Sequence, residues 1–551
     1  MFRSFYRDFL LIYFLLISSI SFSQKPNILW ITAEDISPTL SMYGDSTAKT
    51  PNLDILASES LIFTETFTTV GVCSPSRSSL ITGMYPVSIG THQMRTGKDV
   101  FGWGSREYDG ISNAIDVNGD SIPLYSVVTP HDVKCFTEYL RADGYYCTNN
   151  SKTDYQFAAP VTAWDQNSNK AHWRNREKNQ PFFSVFNFDV THESKMWLHR
   201  DKPLTVKPSE VPLPPYFPDT KTVRNDVARN YSNIELLDMM VGNLIQELKD
   251  DGLFDNTYIF FFSDHGGPLP RGKRSHYESG LKVPMIIRDP YEKTIRYVHD
   301  QVSFVDLAPT ILSLSGINIP DHFQGRAFMG DKKNGILRDY IFGSGDRFDE
   351  TYDRVRSVIS KKFIYVRNYH IDRPAYKDVL YRKNIDMTDE MLELYKEDKL
   401  NSDQKYWYRE SKTKEEFYLR SDDPHSLKNL ISDKRYDIEI KRHRLALRNW
   451  QDEINDIGSK PEKKYLDNMW PKGVQPKSKE PDVIVEDKIV TIKSNTRGSS
   501  IAFIISDNDF KPNLDDGWKL YHEPFKVNKS YIYVMSTRLG FEDSDIIKIK
   551  L

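Results

Sequence analysis

A chain of 551 residues exceeds the roughly 100–200 residues of a typical domain, so one large unit with additions and a sizeable core is expected. Its 74 Lys and Arg stand against 77 Asp and Glu, a net charge of −3, and the even spread of charge excludes the basic footprint that nucleic-acid binding demands. An aromatic content of 13% suits sugar stacking and a large core equally, so it does not choose between them.

Arg3 and Arg7 precede an apolar run over 9–17 and then Ser21 and Ser23, the layout of a secretory signal peptide over 1–23. The run is shorter than the roughly 20 apolar residues that span a bilayer, and no cysteine lies near the cleavage site to take a lipid anchor. The expected product is exported without a membrane span, to the periplasm as first choice and secreted as second. Residues 27–32 form the short, nearly continuous apolar run of a central parallel strand and lead into Glu34 and Asp35. Ligands of open α/β sheets gather beyond the carboxyl ends of strands, so this pair reads as hard-cation ligands, with a solvated acidic turn as the alternative.

Residues 71–83 read Gly-Val-Cys-Ser-Pro-Ser-Arg-Ser-Ser-Leu-Ile-Thr-Gly. Ser74 is expected to cap a helix, Pro75 to take its first position and Gly83 its left-handed exit. Such a helix aims free N–H groups and its positive dipole end at Cys73, and Arg77 adds planar donors one turn in, which suits phosphate or sulfate. Residues 98–122, rich in Gly, Asp and Asn, read as an inserted loop that either walls the pocket or is a plain surface excursion. Strands at 144–148, 182–188 and 258–262 lead to Lys152 and Asp154, to His192, and to Asp264 and His265. Four strands ending in charged or imidazole groups place all of these on one rim. Between them an amphipathic helix at 226–249 indicates a mostly parallel sheet covered on both faces. Cys135 and Cys147 are either a disulfide or two buried thiols.

The catalytic unit is expected over 24–338, followed by a smaller α/β subdomain at 339–457 with strands at 363–367 and 417–420. Residues 458–481, rich in Lys and Pro, read as a linker. Short alternating runs over 482–551 read as a small β-sandwich, a packing module in preference to a carbohydrate binder.

Cys73-Ser-Pro-Ser-Arg77, followed by Ser-Ser-Leu-Ile-Thr-Gly83, resembles the signature of the type I, formylglycine-dependent sulfatases of the alkaline phosphatase superfamily. The resemblance extends over about residues 25–455. It implies an alkaline-phosphatase-like α/β sandwich and conversion of Cys73 to formylglycine by a formylglycine-generating or sulfatase-maturing enzyme. It also implies a calcium ion, with magnesium as the second choice, held by Glu34, Asp35, the formylglycine at 73, Asp264 and His265. Glu34 departs from the aspartate usual there. Lys152 and Lys273 match the lysines that grip sulfate, Arg77 would help ionise the formylglycine hydroxyl, and His192 would protonate the leaving sugar oxygen. Asp154 replaces the usual histidine and either assists that hydroxyl or holds Lys152.

The segments 91–95, 146–150 and 346–350 are similar to those of bacterial carbohydrate sulfatases related to heparan N-sulfatases. That likeness implies sulfate-ester hydrolysis on an ulvan-like or glycosaminoglycan-like polysaccharide, or its oligosaccharides, during polysaccharide degradation. His92, Arg95, Asp346, Arg347, Asp349 and Arg356 are then candidates for gripping a sugar or uronate carboxylate, with surface salt bridges as the alternative. Two rival readings are a formylglycine-dependent phosphonate or phosphodiester hydrolase and a non-catalytic glycan-binding protein in which Cys73 stays a thiol.

Overall fold

Short apolar runs bounded by charge become the centre of one sheet in the computed structural model, which describes residues 25–94, 96 and 114–551. The expected signal peptide, Arg95 and residues 98–113 of the expected inserted loop lie outside the described residues. The sheet contains β1 (Asn27–Ala33), β2 (Leu61–Phe67), β3 (Tyr146–Asn150), β4 (Gln166–Asn167), β5 (Phe182–Phe188), β6 (Thr257–Ser263), β7 (Lys282–Arg288), β8 (Arg296–Val298) and β9 (Val302–Ser303). Their order is β4-β3-β5-β1-β6-β7-β2-β8, with β9 on β2. Neighbours run parallel except at β7, which is antiparallel to both β6 and β2.

The period-2 alternation of a strand explains why β1 is apolar throughout. Ile28 and Trp30 enter the core on one face, while Leu29, Ile31 and Ala33 enter the core on the other. Trp30 meets Phe183 and Phe262 edge-on at centroid distances of 5.1 and 5.2 Å, which ties β1 to its neighbours β5 and β6. Helix α1 (Cys73–Thr82) is buried along its whole length. Helix α2 (Lys221–Asp250) covers the second face with Val227, Ile234, Leu237, Val241, Leu244 and Leu248, and starts earlier than its apolar periodicity because the Thr220 hydroxyl accepts from the Val223 N–H at 3.2 Å. Strand β3 starts two residues later than expected, since Gly144 takes a left-handed turn at φ 91°.

The chain continues into an antiparallel sheet of β10 (Ile341–Gly345), β11 (Val355–Ile359), β12 (Phe363–Asn368) and β13 (Glu415–Leu419). At the C-terminus, β14 (Asp482–Glu486), β15 (Ile489–Lys493) and β18 (Phe525–Lys526) face a second sheet of β16 (Ser500–Ser506), β17 (Lys519–Tyr521), β19 (Tyr531–Thr537) and β20 (Ile547–Lys550). Val490 and Ile492 of the first sheet share a core with Phe503, Ile532 and Val534 of the second, so the module is a β-sandwich. All three cysteines are free and buried, which decides between the two readings of Cys135 and Cys147 in favour of thiols. Among the described residues no helix is long and apolar enough to cross a membrane.

Residues 458–481 differ from the expected linker. Helix α3 (Glu462–Met469) turns Glu462, Tyr465 and Leu466 inward, and Leu466 and Trp470 pack with Tyr125 and Ile122. Lys and Pro dominate the composition here, but positions i, i+3 and i+4 share one face and that face is buried. Its anchor is ionic: Arg347 Nε and Nη2 each donate to a Glu462 carboxylate oxygen at 2.7 Å, with both side chains fully buried. Removing one member of such a pair leaves the other charge uncompensated. Glu462→Ala is therefore expected to destabilise the protein by about 3–5 kcal/mol, seen as a lower urea midpoint, whereas a true linker position would leave that midpoint unchanged.

Candidate active site

Strands β3, β5, β1 and β6 are consecutive and parallel, so their carboxyl ends share one rim. Glu34 and Asp35 follow β1, Asp264 and His265 follow β6, Thr191 to Glu193 follow β5, and Lys152 to Asp154 follow β3. Cys73 opens α1 against this rim and is fully buried. Ser74 does not cap the helix as expected; Val72 occupies that position, and the Ser74 hydroxyl donates to Asp154 instead. Gly83 closes the helix in the left-handed region at φ 67°, as its sequence position predicts.

Each carboxylate on the rim has a cationic neighbour. Lys273 Nζ lies 2.8 Å from Asp35 Oδ2, Lys152 Nζ lies 2.8 Å from Glu34 Oε2, and Arg77 Nε donates to Asp264 Oδ2 at 3.0 Å. Burial pushes the Asp35 carboxyl up, but Lys273, His265 and His192 together hold it well below the ordinary range. Burial likewise raises the Cys73 thiol, and Lys152, Lys273 and His265 outweigh it, bringing the thiol below its ordinary value. His192 stands at the mouth with its side chain 13% exposed, its Nε2 3.9 Å from Glu34 Oε2 and its Nδ1 2.8 Å from Ser194 Oγ. Burial first, then Lys273, lowers it to about 4.

Asp35, Asp264 and His265 converge beside Cys73. His265 Nδ1 lies 2.9 Å from the Gly266 carbonyl, which only accepts, so Nδ1 carries a proton. Its Nε2 lies 3.1 Å from Asp35 Oδ1, 3.6 Å from Asp264 Oδ1 and 3.1 Å from Cys73 Sγ. Burial disfavours the charged ring, but Asp264, Cys73 and Asp35 outweigh it and hold His265 well above the ordinary imidazole range, so Nε2 is protonated here and its lone pair would face a cation only once that proton is lost. Ligand atoms of Glu34, Asp35, Cys73 and His192 form one group within 4.8 Å of one another, and those of Cys73, Asp264 and His265 form another. A carboxylate-rich set with one imidazole whose other nitrogen is tied to a carbonyl fits a hard divalent ion.

Several supports carry no sequence signal of their own. The Glu193 carboxylate accepts from Arg274 Nη1 and Nη2 at 2.8 and 3.0 Å and lies 3.1 Å from Lys273 Nζ, while its backbone N–H donates to Asp35 Oδ2 at 2.7 Å. Arg77 Nη1 donates to Asn187 Oδ1 at 2.7 Å. Adjacency to His192 and Lys273 is the only sequence signal that points to Glu193 and Arg274. Asp35, Asp154 and Arg274 hold φ of 53°, 55° and 68°, left-handed values that side chains seldom take and that gather here at the site.

The expected sugar-gripping residues lie elsewhere. Arg356 is buried between Asp346 at 3.0 Å and Asp456 at 2.8 Å, Arg347 is held by Glu462, and the buried His92 ring lies 5.6 Å from Tyr465. These are buried ion pairs and packing, not the surface salt bridges of the alternative, and their donors are consumed within the protein. Asp349 accepts from Arg274 Nε at 2.9 Å and so is tied to the site through Arg274 and Glu193.

A model of the family described as Sulfatase matches residues 26–317, and one described as N-sulphoglucosamine sulphohydrolase, C-terminal, matches residues 271–406. The chain is 39% identical to an ulvan-active sulfatase of Formosa agariphila, over 96% of this chain and 91% of that relative. It is 28% identical to the N-sulphoglucosamine sulphohydrolase of Homo sapiens, over 80% of this chain and 93% of the human protein. The crystal structure of the phosphonate monoester hydrolase of Agrobacterium radiobacter superposes with a TM-score of 0.54 at 16% identity, covering 78% of this chain and 96% of that one. At that identity the likeness concerns the fold, and the architecture is the expected alkaline-phosphatase-like one.

Close approach of two loops explains Gly71. A Cβ there would lie 2.4 Å from the Ser275 carbonyl, and the Gly71 carbonyl accepts from the Arg274 N–H at 2.6 Å. Gly71→Ala must push the Lys273 loop away from Cys73. Sulfate-ester turnover is expected to fall by about 100-fold with circular dichroism unchanged, and undiminished turnover would show that the spacing is not critical.

Proposed function

Because the chain belongs to the sulfatase family and is a sulfuric ester hydrolase, we propose that it removes sulfate esters from an ulvan-like polysaccharide or its oligosaccharides. In this reading the side chain at position 73 is matured to formylglycine. The observation that carries it is the gathering of Cys73, Arg77, Lys152, Lys273 and His192 around the carboxylates and imidazole at the ends of β1 and β6. The ulvan-active relative at 39% identity supports the substrate class. Arg3, Arg7 and the apolar run over 9–17 support export to the periplasm, with a maturing enzyme acting before or during passage. The catalytic unit is taken as 24–338 and its second subdomain as 339–457.

Glu34, Asp35, Asp264 and His265 are the residues that would hold a divalent ion, calcium in first place and magnesium in second. When bound, the ion would polarise a sulfate oxygen, and formylglycine would supply a hydroxyl nucleophile where Cys73 Sγ lies. The remaining work falls to the chain. Lys152 and Lys273, each now shared with a carboxylate, meet the sulfate oxygens and offset the charge that grows on them. Arg77 Nη2 is buried without a hydrogen-bond partner and adds fixed positive charge at the foot of α1. His192 Nε2, at the mouth, is placed to hand a proton to the departing sugar oxygen; the entering sulfate anion opposes Lys273 and favours the protonated ring. Asp154, 3.7 Å from Lys152 and bonded to Ser74, holds that lysine in place.

The fold alone also serves phosphonate hydrolysis, as the Agrobacterium enzyme illustrates, but the family match over 26–317 supports sulfate esters. The test uses full-length protein produced with a maturing enzyme, with sulfate released from ulvan oligosaccharides measured by ion chromatography. Chelation with EDTA is expected to stop release and calcium to restore it, while Cys73→Ala releases none. Full release after chelation, or from Cys73→Ala, would contradict the reading.

A further inference from the structure

The C-terminal sandwich is mounted rigidly on the catalytic unit. Glycines at the seam let backbones meet: a Cβ on Gly498 would lie 1.9 Å from the His131 carbonyl, and one on Gly540 2.1 Å from the Val127 carbonyl. Arg141 Nη2 donates to the Trp518 carbonyl at 2.8 Å, and Lys134 Nζ to Ser500 Oγ at 2.8 Å. A module on a flexible tether could not keep a fixed gap beside its neighbour, whereas this one does.

The gap is a cleft of about 1060 Å³. Pockets that enclose drug-sized ligands run to roughly 300–1,000 Å³, so this cleft has room for more than one sugar ring. One wall comes from the segment that includes β4, with Asn167 and Lys170; the other comes from the sandwich, with Arg538 and Phe541. Thr153, which lies between Lys152 and Asp154 in the chain, also lines it.

Its chemistry narrows the occupant. The Arg538 guanidinium lies 4.3 Å from the Phe541 ring centre and donates to the Thr129 carbonyl at 3.2 Å. Among the described residues neither Arg538 nor Lys170 has a carboxylate partner, and Arg538 Nε is buried without any. Burial, then the nearby Arg497, lowers Arg538 from its ordinary value, the mark of a cation lacking a counter-ion. The walls also carry Asp515, Glu542 and Asp543, and Asp165, which Arg141 Nη2 holds at 2.8 Å. Carboxylates and side-chain amides suit sugar hydroxyls, and Arg538 and Lys170 suit anionic groups. A chain of hydroxyl-rich rings that carries anionic groups satisfies both sets.

Resting on the polysaccharide reading above, we propose that this cleft binds a further stretch of the same glycan chain, with its sulfate or uronate carboxylate groups at Arg538 and Lys170. The sandwich thus contributes a substrate-binding wall. It lies beyond residue 406, where the matched family models stop.

The test compares wild type, Arg538→Ala and Lys170→Glu as matured full-length protein, on polymeric ulvan and on a small aryl sulfate. Each variant is expected to raise KM on the polymer at least fivefold while aryl sulfate turnover stays within twofold and the thermal midpoint is unchanged. Equal effects on both substrates, or none on either, would overturn the proposal. Affinity electrophoresis in gels containing ulvan reads binding without turnover: retardation of wild type that Arg538→Ala loses supports the cleft, and absent or equal retardation overturns it. Aryl sulfate turnover without release from ulvan would instead count against the polysaccharide reading, which separates the two failures.

Discussion

Buried charge must be compensated, and that constraint shapes the site described here. Three carboxylates, Glu34, Asp35 and Asp264, lie 3% exposed or less at the ends of two adjacent strands. Isolated ions at such depth are prohibitively costly, so each is matched by Lys152, Lys273 or Arg77, brought from three other segments. The compensating cations are also the groups that the proposed mechanism assigns to sulfate. A site already balanced by lysines and arginine can exchange part of that balance for an anionic ligand, provided the supports behind it do not move. Glu193 and Arg274 are those supports, since they fix Lys273 and the Asp35 carboxylate from behind.

Much of this was legible in the sequence because parallel strands buried on both faces leave short apolar runs, and the residues just beyond them stand out by charge. Glu34-Asp35 and Asp264-His265 were visible for that reason, and the structure brings both pairs together beside Cys73. Ion pairs between distant segments leave no such trace. Arg347 and Arg356 looked like free donors, yet their partners Glu462 and Asp456 lie about a hundred residues away, so only the folded chain shows that they are occupied. The stretch 458–481 was misread for a related reason: composition reports the solvated face of α3 and hides the three residues turned inward.

The same rule links the C-terminal parts to the site. Glu462 anchors α3 through Arg347, whose backbone N–H donates to Gln93 Oε1 and whose carbonyl accepts from Met94 in the segment following α1. Met94 and Phe348 share a buried cluster with Cys73. Through Arg347 and Glu462, α3 is thus tied to the packing around Cys73.

The central claim is that position 73 is a formylglycine in the working enzyme, and the most direct measurement is the mass of the peptide that contains it, from protein made with an active maturing enzyme. The account predicts the aldehyde in place of the thiol. Unmodified cysteine at 73 in protein that nevertheless hydrolyses sulfate esters would contradict it.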